Sequence, residues 1–279
     1  MTSTAVVFGG GGITGIAWEI GVLAGLGAAG IDLSSADLFV GTSAGSFVGT
    51  AIASGADPQE LYEAQLAGFG AEATARLGTT TLLRYGWAMA RTRDPQRYRA
   101  RIGAMARAAR TVPEADRRAV IQARLGTDRW PTRRLLITAV DAETGIFRTF
   151  DRESGVSLVD AVGASCAVPG VWPPVTIDGR QWIDGGVRSP ANADLAVGAA
   201  RVVVLAPIVT GGGPVTPVRA QAAELRKRGA RVAVIAPDRA ARGAIGRNVL
   251  DPARRAPAAR AGQAQGAAFA AEIRSVVSG

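Results

Sequence analysis

Short apolar runs alternate with helical patterns through the first quarter of this chain. The pattern predicts a strand, a helix, a strand with a turn, and two more helices, over residues 4–10, 13–30, 37–45, 44–55 and 57–68. The first helix repeats apolar side chains every three or four positions up to Gly30, a residue type that ends helices. Asp57 and Pro58 are residue types that begin a helix.

Residues 70–130 differ from their surroundings because they are rich in arginine and helical in pattern, with no strand signal. The later pattern predicts two strands, a helix ended by Pro169, a hairpin, a strand, a helix, a strand and a final helix, over residues 133–151, 157–170, 175–186, 201–207, 217–229, 231–237 and 262–279. The Asp178–Gly179 pair is typical of a tight hairpin turn. Residues 238–262, rich in Arg, Ala and Pro, carry no predicted element.

This alternation favours an α/β protein, a three-layer α/β/α sandwich with a mainly parallel central sheet and a helical insertion around residues 57–130. The runs at 201–207 and 231–237 begin with continuous apolar stretches, as expected of strands that are buried on both faces. Because no Pro/Ser-rich linker divides the chain, we expect a single domain over residues 1–279.

No apolar run reaches the roughly 18 to 20 residues that span a bilayer, and the first ten residues lack the pattern of a signal peptide. We therefore expect a cytoplasmic protein. The net charge is +9, from 32 basic and 23 acidic side chains. Because the arginines are scattered, a compositional bias explains the positive charge as well as an interaction with an anionic phospholipid surface does. We expect no nucleic-acid partner.

The chain contains no histidine and a single cysteine, Cys166. This excludes the Ser-His-Asp triad, the Cys-His dyad, His-ligated metal sites and thiolate metal clusters. Any catalysis must therefore use Ser, Thr, Asp, Glu, Arg, Tyr or backbone groups. We expect neither a metal ion nor an organic cofactor.

The glycine run after the first strand has two interpretations. Gly10, Gly12 and Gly15 have the spacing of a dinucleotide-binding turn. Such a site also needs an acidic residue at the end of the second strand to bind the ribose, whereas this strand ends at Gly41 and Asp37 lies at its start. Nucleotide binding is therefore the disfavoured alternative, and a Walker loop is excluded because no Gly-Lys-Ser/Thr follows the glycines.

The motif GTSAG, with Ser43 at its centre, lies between a predicted strand and a small-residue helix. This is the context of a nucleophile elbow, where the serine lies on a sharp turn beside the N–H groups of a helix N-terminus. Acyl transfer through a serine also requires donors for a transient oxyanion. We expect the successive N–H groups of Gly10, Gly11 and Gly12 to face a common point and to supply them.

With histidine absent, the best candidate for the base is Asp184, which ends a short predicted strand. Gly185 and Gly186 follow it and leave room for a close approach. A carboxylate can act as a base toward a serine hydroxyl when the two are in direct contact and partly desolvated. The alternative interpretation is that Asp-Gly-Gly is only a turn.

The glycine run, the Ser43 motif and the Asp184 motif, in this order along the chain, resemble the patatin-like phospholipase family. The resemblance comprises GGGGITG, GTSAGS and DGG, and it extends to ASCAVPGVWPPV, DGGVRSPANADLA and the C-terminal NVLDPARRAPAARAG. It covers most of the chain outside residues 70–130. It implies a Ser-Asp dyad that hydrolyses lipid esters without a cofactor, with Ser43 as the nucleophile, Asp184 as the base and the glycine run as the oxyanion donors.

The expected substrates are phospholipids, lysophospholipids or neutral acyl esters. One position departs from the family, which commonly has Arg or Lys just before the last glycine of its first motif, where this chain has Thr14. A cation there could support the oxyanion or bind phosphate. Thr14 therefore weakens the expectation of a phospholipid substrate and leaves a second hypothesis open, a noncatalytic or regulatory lipid-binding protein that retains the fold.

Residues 79–92 form an amphipathic pattern within the insertion. Leu82, Leu83, Gly86, Met89 and Ala90 share one face of a helical wheel, Arg84 and Arg91 lie on the opposite side, and Trp87 is near the boundary. One interpretation is an ordinary helix whose apolar face packs on the core. The other is an interfacial helix that borders the site and makes peripheral contact with an anionic membrane.

Overall fold

The computed structural model describes residues 3–68 and 78–278. Its centre is one mixed sheet with strands β1 (Thr4–Phe8), β2 (Leu38–Gly41), β3 (Arg134–Asp141), β4 (Phe147–Phe150), β5 (Val175–Ile177), β6 (Arg180–Asp184), β7 (Arg201–Leu205) and β8 (Arg231–Ile235). Strand pairing follows the order β5-β6-β3-β2-β1-β7-β8, and β4 also pairs with β3. The pairs among β3, β2, β1, β7 and β8 are parallel, whereas β4, β5 and β6 form antiparallel pairs.

The helices are α1 (Gly12–Ala28), α2 (Ala44–Ala53), α3 (Pro58–Ala67), α4 (Thr79–Ala90), α5 (Pro95–Arg107), α6 (Glu114–Leu125), α7 (Leu158–Ser165), α8 (Val218–Lys227), α9 (Arg239–Ile245) and α10 (Arg255–Val277). Side chains of β1 alternate between two cores, with Val6 and Phe8 packed beside α1, α2, α7 and α10, and Ala5 and Val7 packed beside α8. The structure thereby confirms the three-layer α/β/α arrangement.

The predicted insertion contains α3, α4, α5 and α6, and no strand occurs between residues 58 and 130 where the structure describes the chain. Asp57 begins α3 as expected, because its side chain accepts hydrogen bonds from the N–H groups of Gln59 and Glu60 at 2.7 and 3.0 Å. In α5, Tyr98 and Ile102 pack against β3 and β6 in a third, smaller core. The insertion thus covers the antiparallel end of the sheet.

The C-terminal helix begins earlier than predicted, at Arg255 rather than at residue 262. Glycines of α1 and α10 face the backbone of the other helix, and a Cβ at Gly21, Gly25, Gly262 or Gly266 would overlap a backbone oxygen there. This close approach buries both helices along much of their length. The periodicity of α10 alone did not reveal its start, because its small residues give a weak apolar stripe.

None of the helices in the described ranges combines the length and the apolar character needed to cross a bilayer.

The packing of α1 on α10 predicts opposite effects for two glycines of α1. Gly21→Ala should destabilise the protein by about 1–3 kcal/mol, because the new Cβ meets the backbone oxygen of Ala259. Gly27→Ala should be neutral or stabilising by up to about 1 kcal/mol, because nothing lies within 4 Å of a Cβ there. Urea unfolding measures both free energies, and equal effects at the two positions would contradict this packing.

Candidate functional site

Strand β3 brings the elbow serine and the candidate aspartate together. Strand β2 pairs with β3 up to Gly41, which lies opposite Ile137, and β6 pairs further along, with Asp184 opposite Ala139. Both strands occupy the same edge of β3, since β4 pairs with residues 137–140 on the other edge. Two residues of a strand span about 7 Å, so the end of β2 and the end of β6 lie side by side.

Ser43 has φ 52° and ψ −123° and directly precedes α2. This positive φ is rare for a residue with a side chain and places strain at the turn. A Cβ at Gly41 would approach Ser46 Cα to 2.6 Å, and one at Gly45 would overlap the backbone oxygen of Phe8. Both glycines of GTSAG are therefore required by close backbone contacts, as the nucleophile-elbow interpretation expects.

Asp184 is 5% exposed, and its carboxylate accepts a hydrogen bond from the N–H of Gly186 at 2.7 Å. The Ser43 side chain lies close enough to this carboxylate to act on its pKa. Burial raises the pKa of Asp184 to about 7, although the hydrogen bonds with Ser43 and Gly186 act to lower it. A Cβ at Gly185 would overlap the Thr138 hydroxyl, so Asp-Gly-Gly lies packed in the interior and is more than a surface turn.

The glycine run lies beside Ser43, because a Cβ at Gly10 would be 3.3 Å from Ser43 Cβ. The N–H of Gly10, however, donates to the backbone oxygen of Pro190 at 2.7 Å. This corrects the expectation that Gly10 supplies an oxyanion donor, since its hydrogen is already bound. Among the described residues, the N–H groups of Gly11 and Gly12 have no partner, and these two remain the candidates.

A buried carboxyl group supports the start of this run. The N–H of Gly9 donates to Glu19 Oε1 at 2.8 Å, and Glu19 is fully buried in α1. Burial raises the pKa of Glu19 well above its ordinary value, although the hydrogen bond from Gly9 acts to lower it. Sequence reasoning missed Glu19, although a single acidic residue in the apolar pattern of α1 was a usable signal.

A hydroxyl and amide network connects the elbow to the segment that follows Asp184. Thr138 Oγ1 donates to Thr42 Oγ1 at 3.1 Å, and the side-chain amide of Asn192 donates to Thr42 Oγ1 at 3.1 Å and to Gly185 O at 3.3 Å. Asn192 is fully buried in a left-handed conformation. The network holds the Ser43 turn and the Asp184 segment in one arrangement, and the sequence motifs did not identify it.

Helix α4 of the insertion reaches the site through Tyr85. The Tyr85 hydroxyl donates to Pro169 O at 2.8 Å, and burial together with the negative charge of Asp184 raises the Tyr85 pKa. The segment after α7 is therefore enclosed between α4 and β6. Helix α7 ends at Ser165, earlier than the predicted stop at Pro169, because the chain turns to place Ala167 O 3.1 Å from the N–H of Asp184.

The single cysteine is structural in this arrangement. The Cys166 thiol donates to Ser43 O at 3.1 Å, and burial raises its pKa to about 12. In the described parts of the chain, no three Cys, Asp or Glu side chains group closely enough to hold a metal ion. The site therefore combines a strained serine, a buried carboxyl group with a pKa near 7 and, within the described ranges, two N–H groups without a partner. Acyl transfer through a serine uses groups of these kinds.

The comparisons with known proteins concern the family and the fold of the chain. A family model described as patatin-like phospholipase matches residues 6–197. Among solved structures, VipD from Legionella pneumophila is similar in fold, with a TM-score of 0.51 and 12% identity over 98% of this chain and 67% of that chain. The type III effector protein ExoU has a TM-score of 0.45 and 15% identity, over 98% of this chain and 53% of that chain. No curated protein matches the sequence.

The raised pKa of Asp184 predicts a stability change with pH. An unfolded aspartate has a pKa of about 3.9, and in the folded protein the value is about 7. The folded state retains the proton between these values, so stability falls as the pH rises through this window. Asp184→Asn removes this titration. The free energy of unfolding of the variant, relative to that of wild type, should therefore rise by about 1–3 kcal/mol between about pH 5 and about pH 8.

Urea unfolding of wild type and Asp184→Asn at the two pH values measures this difference. The control is Asp178→Asn at the exposed turn of the β5–β6 hairpin, where Asp178 has a φ of 50° that asparagine tolerates. A difference in free energy of unfolding between Asp184→Asn and wild type that stays constant with pH would contradict a buried carboxyl group with a raised pKa.

Proposed function

Because the chain belongs to the patatin-like phospholipase family, we propose that it is a serine acyl hydrolase that cleaves carboxylic ester bonds of lipids with a Ser43–Asp184 dyad. The observation that carries this proposal is the strand pairing that sets the strained Ser43 turn beside the buried Asp184 carboxyl, whose pKa lies near 7. The family match supports lipid hydrolysis in general. The dyad and its chemistry are the finer part of the proposal.

In the acylation step, ionised Asp184 accepts the proton of the Ser43 hydroxyl as Oγ attacks the ester carbonyl carbon. The carbonyl oxygen becomes an oxyanion, to which the N–H groups of Gly11 and Gly12 donate. Collapse of the tetrahedral intermediate breaks the carbon–oxygen bond to the alcohol. Asp184 returns the proton to the departing alkoxide, and an acyl group remains on Ser43.

In the deacylation step, Asp184 accepts a proton from a water molecule that attacks the acyl carbon. The second tetrahedral intermediate uses the same N–H donors, and it releases the fatty acid and restores the Ser43 hydroxyl. A base whose pKa lies near the working pH is ionised often enough to accept the proton and still basic enough to bind it. Burial of Asp184 therefore supports both steps.

The alternative, a noncatalytic lipid-binding protein, is motivated by Thr14. The Thr14 side chain is fully buried and donates to Val249 O at 3.3 Å, so the position places no cation beside the glycine run. The free N–H groups of Gly11 and Gly12 do not depend on that cation. Turnover of an ester by wild type, lost in Ser43→Ala, separates the two functions.

We expect lipid contact to involve the outer face of α4, defined by Leu83 and Trp87. These side chains are 73% and 57% exposed, so the alternative of an ordinary core-packed helix fails for them. The helix instead buries Ala88 and turns Tyr85 toward Pro169. Arg91 lies 4.6 Å from the centre of the Trp87 ring, which adds a cation beside the exposed apolar surface, as in interfacial helices.

The dyad predicts a specific kinetic signature. Asp184→Asn should lower kcat for a p-nitrophenyl ester by about 10²- to 10⁴-fold, because the general base is lost. In wild type, kcat/KM should rise with pH through about 7 as Asp184 loses its proton, and this limb should be absent from the residual activity of Asp184→Asn. Asp178→Asn is the matched control on the same hairpin. Near wild-type kcat in Asp184→Asn would contradict the dyad.

The outer face of α4 predicts weak, reversible and salt-sensitive attachment to anionic vesicles. Leu83→Asp with Trp87→Ser should reduce co-sedimentation several-fold without lowering the melting temperature, since both side chains are exposed. Val197→Asp is the control, because Val197 is 54% exposed and precedes β7 at the opposite end of the parallel strands. Unchanged binding by the double variant would contradict the membrane role.

A further inference from the structure

We propose that Glu19 is a positioning residue of the glycine run: its carboxyl group holds Gly9 and thereby fixes where the N–H groups of Gly11 and Gly12 lie relative to Ser43. This role rests on the proposed function, because it concerns the donors that would stabilise the oxyanion in acyl transfer. Glu19 acts through the backbone of the run and has no contact with the reacting atoms in this role.

The burial of Glu19 is unfavourable for stability. The side chain is fully buried in α1, next in sequence to the core residues Trp18 and Ile20. Its Oε2 atom has no hydrogen-bond partner among the described residues. A buried carboxyl oxygen without a partner lowers the free energy of unfolding, and an apolar side chain of similar size would avoid this cost. An unpaired polar atom beside a candidate site therefore points to a role in that site.

The other carboxyl oxygen connects α1 to the point where β1 ends and the glycine run begins. The N–H of Gly9 donates both to Glu19 Oε1 at 2.8 Å and to Leu205 O at 2.9 Å. The bond to Leu205 extends the pairing of β1 with β7. Because side chains of a helix point back toward its N-terminus, Glu19 reaches from inside α1 to the residue that precedes the run. Strand end, glycine run and helix thus form a closed loop.

The glycine run depends on contacts of this kind. Glycine has more accessible backbone conformations than any other residue, and it has no side chain that packing could hold. Backbone contacts hold the later part of the run, since the N–H of Gly10 donates to Pro190 O at 2.7 Å and the N–H of Thr14 donates to Val249 O at 3.1 Å. Glu19 supplies the side-chain contact at its start.

The position of the run matters for the rate of the proposed reaction. Oxyanion donors are effective when they lie about 2.7–3.1 Å from the place that the oxyanion will occupy, and a displacement of about 1 Å lowers a rate by about 100-fold. The oxyanion develops only as the transition state is approached. Loss of the Glu19 contact should therefore lower kcat and leave KM nearly unchanged.

The test compares Glu19→Gln with Glu19→Met on a p-nitrophenyl ester. The amide oxygen of Gln can accept the hydrogen bond from Gly9, so Glu19→Gln should keep kcat within about threefold of wild type. Glu19→Met has a similar length and offers no oxygen. It should lower kcat by about 10- to 100-fold at nearly constant KM, and its melting temperature should equal or exceed that of wild type because the unpaired oxygen is gone.

Thr50→Val is the matched control. Thr50 is 2% exposed in α2, and its hydroxyl also has no hydrogen-bond partner in the described parts of the chain. This substitution removes a buried unpaired oxygen outside the glycine run and should leave kcat unchanged.

Wild-type kcat in Glu19→Met would overturn the proposal, and so would a loss in Glu19→Gln as large as that in Glu19→Met. If Glu19→Met melts well below wild type, Glu19→Leu repeats the measurement with a second apolar side chain. Loss of stability in both apolar variants would show that the carboxyl group supports the fold, which also overturns the proposal.

Hydrogen exchange keeps the test independent of turnover. Measured by mass spectrometry, the peptide that contains residues 8–14 should exchange several-fold faster in Glu19→Met than in wild type, and at the wild-type rate in Glu19→Gln. If wild type does not hydrolyse the ester, the hydrolase function fails and the exchange rates alone decide whether Glu19 holds the run. Equal exchange in wild type and Glu19→Met would show that it does not.

Discussion

Burial of the Asp184 carboxyl against the Ser43 turn is the interaction on which the rest of the site depends. Desolvation raises the pKa of this acid to about 7. The proposed proton transfer from the serine hydroxyl relies on this value, because the chain contains no histidine. Its position follows from β3, which pairs with β2 up to Gly41 and then with β6 at Asp184. The pairing of the sheet therefore places the Ser43 turn and Asp184 side by side.

Such a site is costly in stability. A buried ionisable acid, a serine with positive φ and a second buried carboxyl at Glu19 all oppose folding. Two close-packed cores on the faces of the sheet and the glycine contacts of α1 with α10 offset this. The arrangement is consistent with the stability–activity trade-off that is common at functional sites.

Local sequence signals were sufficient for most of the fold. Alternating patterns predicted the strands and α1 to α3, and the motifs around Ser43 and Asp184 identified two side chains that the structure brings into contact. Tertiary contacts explain the differences. The N–H of Gly10 is bound by Pro190 O, 180 positions along the chain. Helix α10 begins before residue 262 because Ala259 is buried against Gly21 of α1. Leu83 is exposed because α4 packs through Ala88.

Labelling with a fluorophosphonate as a function of pH tests the central claim most directly, because the reagent reacts with an activated serine and needs no lipid. The account predicts a single adduct, mapped by mass spectrometry to the peptide that contains Ser43, with a labelling rate that rises with pH through about 7. In Asp184→Asn the rate should be low and independent of pH in this range. An adduct on another serine, or none on folded wild type, would contradict the account.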